Sequence, residues 1–380
     1  MELKIKQRIF LNVFFFLSGA CFSTWASRIP TIKATFGFND AQLGTLLLFM
    51  PISSLIGLPL SGWLVSRYDS RVPMTAAFIL VAVSLSLIGF ASTPYTLAAS
   101  MCLFAFAMRI FSISVNTQAI SLQKQFNRKI NSSFHGLWSS GGIVGVGIST
   151  LFVALDISMQ IHFAIVSFIT IPITLFSYKF LLQNDRSPSG NKLILGKPDP
   201  YIVYLGLLVF FAAICEGGMF DWSGVYFKEV VHVELFTLGY LIFMMFMALS
   251  RFVADRLMDQ IGMPKTYVLS ASLIISGIGL AVILPYFWTA MIGFCLVGFG
   301  TASIIPMTFL LAGSSKKYSP GMAISIIATY SIVGMLIGPP VIGYIAHATN
   351  LRIAFITFAF SGMMLIPVSQ LFFRFQKTQV

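Results

Sequence analysis

Apolar stretches of about twenty residues follow one another along almost the whole chain, separated by short polar segments. A stretch of that length crosses the hydrocarbon core of a bilayer as an α-helix, which satisfies its own backbone N–H and C=O groups where lipid offers no partners. The pattern predicts an all-α membrane protein with twelve transmembrane helices. The first six fall at 8–28, 43–65, 73–92, 95–119, 132–154 and 160–182. The second six fall at 201–224, 236–256, 266–284, 288–312, 322–346 and 351–374. The longest polar stretch, Gln183–Pro200, is rich in Ser, Gly, Pro and charge and lies close to the middle. It predicts a cytoplasmic linker between two six-helix bundles, 1–182 and 201–380, and the remaining loops leave no room for a soluble domain.

Composition agrees and charge sharpens the picture. Of 380 residues, 57% are hydrophobic and only 9% charged, where a soluble domain carries about a quarter. A net charge of +12 could point to nucleic acid, but its distribution points elsewhere. With the N-terminus placed in the cytoplasm, 19 of the 24 Lys and Arg fall in or beside cytoplasmic segments. Arg28, Lys33, Lys228 and Arg352 lie on the other side, and Arg109 lies inside a span. That is the positive-inside pattern. It predicts a multi-pass protein of a bacterial inner membrane with both termini cytoplasmic and no nucleic-acid partner; a monomer is expected. The four cysteines, Cys21, Cys102, Cys215 and Cys295, all lie in apolar segments without zinc spacing and read as small packing residues. The basic, apolar N-terminus reads as a first helix that is not cleaved.

The halves repeat one another. Gly19-Ala-Cys-Phe22 precedes Trp25, with Leu43-Gly44 opening the second span. Gly217-Gly-Met-Phe220 precedes Trp222, with Leu238-Gly239 opening the eighth. Each half has a charged turn after its second span, Arg67-Tyr-Asp69-Ser-Arg71 and Arg251-Phe-Val-Ala-Asp255-Arg256-Leu-Met-Asp259. The fifth and eleventh spans carry glycines at four-residue spacing, Gly141 and Gly145, and Gly334 and Gly338. This spacing predicts close helix packing, or alternatively a helix that rocks, helped by a break at Pro339-Pro340.

These motifs resemble those of the major facilitator superfamily. The turn at 62–71 is similar to that superfamily's first cytoplasmic-loop motif, with Ser66 in place of its Asp and Asp69 in place of its second Gly. The turn at 250–262 keeps Asp255-Arg256 and is closer. Three further segments resemble a branch of bacterial transporters distantly related to the fucose permeases: Trp25-Ala-Ser-Arg28-Ile-Pro30, Phe134-His135-Gly136-Leu-Trp-Ser, and Glu216-Gly-Gly-Met-Phe-Asp221-Trp222-Ser223. The resemblance implies a transporter in which spans 1, 4, 7 and 10 line a central path. Fucose permeases couple to protons through acidic residues on spans 1 and 4, and this chain has none on either.

Ionisable side chains inside a span are costly and mark function. Arg109 lies near the middle of the fourth span, sharing a helix face with Ser112 and Asn116. Arg28 closes the first span on the face of Trp25. Glu216 stands about 22 Å along the seventh helix and Asp221 near its outer end. The two are about 140° apart on a straight helix, so both face one cavity only if Gly217-Gly218 bends or unwinds it. Thr301 belongs to a weaker polar stripe on the tenth span. Glu216 is open to three roles: proton carrier, structural partner of Arg28 or Arg109, or direct contact with the solute. Arg109 either binds an anionic group of the solute or pairs with Glu216. Trp25 and Trp222 could stack on a sugar ring or anchor at the interface. His135, with Asp255 and Arg256, is a gating candidate, while His162, His232 and His347 are expected at the outer surface in water.

No P-loop, metal-ligand cluster or nucleophile elbow is present, so neither an enzyme nor a cofactor is expected. The reading is a secondary active transporter for a small polar solute such as a sugar or sugar derivative, coupled to protons. The alternatives are an efflux carrier for amphipathic compounds and a non-transporting solute sensor.

Overall fold

The computed structural model describes residues 3–126, 130–185, 199–318 and 320–378. Most of the expected linker, 186–198, lies outside them, as does the side chain of Asp255. Every regular element among the described residues is helical. In chain order these are α1 (Leu3–Ala26), α2 (Ile29–Phe36), α3 (Asp40–Arg67), α4 (Arg71–Gly89), α5 (Pro94–Gln123), α6 (Asn131–Ala154) and α7 (Met159–Tyr178). They continue as α8 (Pro200–Glu229), α9 (Thr237–Ile261), α10 (Met263–Ile283), α11 (Phe287–Thr301), α12 (Ile304–Gly313), α13 (Pro320–Ala348), α14 (Leu351–Ala354) and α15 (Ile356–Thr378).

Eleven stretches are long and apolar enough to cross a bilayer. The twelfth is the apolar first part of α9, Thr237–Arg251, beyond which charge accumulates at Arg256 and Asp259. The helices overshoot the apolar runs at several ends, as with Leu3–Phe36 for the first span, because a helix continues through polar residues once its ladder is started. The first span is jointed at Ser27-Arg28 between α1 and α2, and the tenth at Ala302-Ser303 between α11 and α12.

The chain forms two compact units. One holds Met1–Phe36 and Phe49–Lys192; the other holds Gly37–Leu48 and Leu193–Val380. In the first, α1 packs most extensively on α6, and α4 packs on α5 and α7. The second repeats this with α8 on α13 and α10 on α11 and α15. The glycines at four-residue spacing explain the closeness of the first seam. A Cβ on Gly141 would overlap the carbonyl oxygen of Phe16, one on Gly19 would overlap that of Trp138, and one on Gly145 would lie 2.6 Å from that of Ala20. In the second unit a Cβ on Gly334 would lie 2.5 Å from the carbonyl oxygen of Phe210. Packing is thus the use of these glycines, and α13 remains helical through Pro339-Pro340 without the expected break.

Residues 37–48 belong to the second unit because α3 begins against α13. A Cβ on Gly343 would lie 2.5 Å from the carbonyl oxygen of Asp40, and Thr45 Oγ1 is 3.0 Å from Tyr344 Oη.

One substitution pair tests the seam. Gly141→Ala is expected to lower thermal stability by about 1–3 kcal/mol through overpacking. Gly147→Ala, on the same helix with nothing within 4 Å of its added Cβ, is expected to leave it unchanged or slightly raised. Thermal unfolding of the detergent-solubilised variants, followed by tryptophan fluorescence, measures both.

Candidate functional site

The seventh span carries two carboxylates, Glu216 and Asp221. Because α8 is helical from Pro200 to Glu229, Gly217-Gly218 does not unwind it, and the two side chains leave the helix about 140° apart. Glycine serves packing here instead, with the ring of Phe358 pressed where a Cβ on Gly218 would be. Glu216 is buried and its Oε1 lies 3.6 Å from Arg251 Nη2 on α9. Arg251 is therefore not one of the cytoplasmic loop cations: it is at the last residue of the apolar run of α9, turned to the middle of α8. The charge asymmetry of the loops survives its removal from the count. Asp221 is half-buried and has no cation within ion-pairing distance among the described residues. Trp222, beside it, is fully buried, with its indole N–H and the Ser223 hydroxyl unpartnered among the described residues.

The first unit holds Arg109 and Arg28. Arg109 on α5 is half-buried and its Nε donates to Ser54 Oγ on α3 at 2.7 Å. Gly57, one turn on, lets α3 come within contact of the Arg109 stem, since an added Cβ there would lie 3.4 Å from Arg109 Cβ. Asn116 Nδ2 donates to the carbonyl of Ser112 one turn back on α5 at 2.7 Å.

Arg28 stands in the joint between α1 and α2 with 4% of its surface exposed. Its Nε donates to His162 Nδ1 at 3.3 Å, and its Nη2 donates to the carbonyl of Ile157 at 2.9 Å. His162, expected in water, is instead completely buried on α7. Accepting at Nδ1 leaves its proton on Nε2, which has no partner among the described residues. The reason is visible in the preceding turn. Asp156 takes a positive φ of 52°, the α6–α7 connection closes tightly, and the first turn of α7 is brought under the joint of the first span. Sequence spacing carries no sign of this pairing. His232 and His347 are exposed as expected.

Trp25 is buried against Phe22 and Phe104, with its indole N–H also unpartnered among the described residues. Thr301 is buried too, but its hydroxyl bonds back to the carbonyls of Val297 and Gly298, at 3.0 and 3.3 Å, at the joint of the tenth span. His135 is exposed at the start of α6, edge-on to Phe15 at 5.6 Å, and Arg256 is exposed on the last turns of α9.

Sequence reasoning also missed a polar cluster at the opposite end of the first unit. Asp185, just after α7, accepts from the backbone N–H of Ser70 at 2.9 Å and from the Ser70 hydroxyl. Gln118 Nε2 donates to Ser70 Oγ at 2.9 Å and to the carbonyl of Leu182 at 3.3 Å. Asp69 pairs with Arg71 at 4.0 Å, and the Arg71 guanidinium lies 5.0 Å from the centroid of Tyr178. A carboxylate at the start of α4 complements the helix dipole. In this turn, where Ser66 only bonds back to its own helix, Asp185 from the linker supplies that charge.

The picture is of a polytopic helical membrane protein in two like halves, with charged side chains inside its spans. Comparison with known proteins gives the class a family. The sequence matches the Major Facilitator Superfamily over residues 11–268 and 241–379. It is 32% identical over 353 residues to an uncharacterised transporter of that type from Yersinia pestis, covering 92% of each chain. It is 30% identical over 376 residues to the membrane protein MosC of Rhizobium meliloti, covering 96% of this chain and 90% of that one. Among solved structures, an inward-facing, occupied bacterial homologue of the human lysosomal transporter Spinster superposes with a TM-score of 0.77 at 15% identity, covering 96% of both chains. The nucleoside transporter NupG superposes with a TM-score of 0.75 at 14% identity over 98% of this chain and 99% of the other. The chain belongs to the major facilitator superfamily and is a membrane transporter.

Substitutions at Arg28 and at the Glu216–Arg251 pair probe the site's architecture. Arg28→Met removes a charged hydrogen bond to a buried carbonyl and is expected to destabilise by about 1.5–3 kcal/mol. Arg251→Gln leaves Glu216 buried without its cation, and is expected to lower the melting temperature more than Arg251→Gln combined with Glu216→Gln, which removes both charges. A double-mutant cycle of thermal midpoints reads the coupling.

Proposed function

We propose that this protein is a secondary active transporter of a bacterial inner membrane that moves a small polar solute by alternating access, in symport with protons. The observation that carries this reading is the Glu216–Arg251 pair, a carboxylate buried in the middle of one span and held by a cation from the next at 3.6 Å. A charge pair inside a membrane is retained against its desolvation cost when its making and breaking is used. Protonation of Glu216 releases Arg251, and loss of the proton restores the pair, which gives two states that a proton gradient can bias. Asp221 stands five residues away on another face of α8, where the helical offset separates solute contact from proton carriage.

Support for a polar solute comes from buried donors. The indole N–H groups of Trp25 and Trp222 and the Ser223 hydroxyl are buried without partners among the described residues. An unsatisfied buried donor costs about 1–3 kcal/mol, a cost that a hydroxyl-rich solute such as a sugar or sugar derivative offsets by accepting. Arg28, Arg109, Asn116 and Thr301 complete the set of residues we assign to the path, with His135, Asp255 and Arg256 at its gates.

Alternating access requires the start of α3 to part from α13. The contact sets glycine backbone against glycine backbone at Gly44 and Gly343, beside the Thr45–Tyr344 hydroxyl contact at 3.0 Å, which the opening breaks. The positive-inside distribution supports cytoplasmic termini, and with them this seam belongs to the outer face.

Two measurements in proteoliposomes test the proposal. Glu216→Gln is expected to abolish uptake driven by a proton gradient while leaving equilibrium exchange intact. Gradient-driven uptake at the wild-type rate would overturn the coupling role. Thr45→Cys with Tyr344→Cys, in a background lacking the four native cysteines, is expected to lose flux on bridging by a short cleavable bifunctional thiol reagent and to regain it on reduction. Unchanged flux after complete bridging would show that this seam does not open in transport.

A further inference from the structure

In the second unit, where the start of α10 meets the end of α15, a cavity of about 280 Å³ is lined by Pro264, Ser369, Gln370, Phe373, Arg374 and Lys377, with Gln376 beside them. The two helices run antiparallel here, since Gly362 meets Ile274 and Phe373 lies 6.0 Å from the ring of Tyr267. That brings the last turns of α15 to the first turn of α10. Arg374 and Lys377 are three residues apart, share a helix face, and are both exposed. Neither has a carboxylate within ion-pairing distance among the described residues. Lys265, also exposed, follows Pro264 in the first turn of α10. The lining residues contribute two positive charges, amide and hydroxyl groups, and no negative charge.

A cation near a helix C-terminus is ordinary, because it complements the negative end of that helix. Here the same cations also face the positive end of α10, whose N-cap Gly262 has no side chain to offer. Like-signed charge on both walls of a cavity favours an anion between them. The position names which one. The cavity lies at the end of two membrane-spanning helices, on the face to which the loop charges assign the cytoplasm. Lys and Arg at that level meet the anionic headgroups of the inner leaflet, while the apolar flank of α15 below them meets acyl chains. The aromatic ring of Phe373 gives the cavity an apolar wall next to its polar rim.

We propose that this cavity binds the phosphodiester headgroup of an anionic phospholipid of the inner leaflet, with Arg374 and Lys377 as its ligands. The site is separate from the solute path and does not depend on which solute is carried. Bound there, a lipid ties α10 to α15 at one end of the second unit.

Native mass spectrometry of the full-length protein released from detergent with phosphatidylglycerol, or with phosphatidylcholine of the same chains, tests it. Wild type is expected to retain phosphatidylglycerol preferentially and to melt at a higher temperature in its presence. Arg374→Gln with Lys377→Gln is expected to bind phosphatidylglycerol about 30-fold more weakly, from the contribution of two cations near a charged surface. Arg374→Lys with Lys377→Arg, which keeps both charges, is expected to retain it, and this variant separates loss of the site from loss of the fold. Equal retention by the Gln variant, or no preference over phosphatidylcholine in wild type, would overturn the proposal. Equal stabilisation by inorganic phosphate alone would also overturn it, by showing a site for soluble anions.

Discussion

The hydrocarbon around this chain cannot hydrogen-bond a peptide group, so each crossing segment must close its own backbone ladder. That requirement makes every regular element among the described residues a helix. It also removes the hydrophobic effect as the force that joins one helix to the next, because lipid tails are as apolar as leucine. What remains is close contact. The α1–α6 seam shows how this is met: Gly19, Gly141 and Gly145 set backbone directly against backbone, where any larger residue would collide with a carbonyl oxygen. The second unit answers the same demand with Gly334 against Phe210 in the equivalent pair, α8 and α13. A repeat that is faint in sequence is thus plain in packing.

Charge obeys the same constraint with the opposite consequence. A cation or carboxylate in the spans persists only with a partner or a use. The structure distributes partners unevenly. Arg28 is satisfied by a buried imidazole and a backbone carbonyl, Arg109 by a serine hydroxyl, and Glu216 by Arg251. Within each unit neutral or short-range partners suffice. Tight packing in one part of a helix and polar partners in another are compatible because glycine occupies the seams and leaves the longer side chains to the other faces.

Much of the architecture was legible from residue pattern. The twelve spans, the equivalence of the glycine spans and the membrane location all follow from apolar run length and glycine spacing, which are local properties. Span ends were less so. Helices continue beyond the apolar runs, and α9 becomes charged before it ends, because helix propagation responds to the backbone ladder rather than to hydropathy. Of the candidate residues, Glu216, Asp221, Arg109 and Arg28 were identified because charge inside an apolar run is conspicuous. Their partners were not. Arg251 reads in sequence as a loop cation, His162 as a surface residue, and Asp185 as one polar residue among many in the linker.

The order of residues alone therefore determined that this chain lies in a membrane, how many times it crosses, how its halves correspond, and which side chains would be expensive to bury. These properties depend on neighbours within a few turns. Only the tertiary structure decided which group satisfies each buried charge, that α8 stays helical through Gly217-Gly218, and that the beginning of α3 packs with α13. Each of these brings together residues from different helices, or weighs a helix's bending against the packing around it. A hydrogen bond between Arg28 and His162 spans 134 positions, and nothing in the spacing of two residues that far apart can state that they touch.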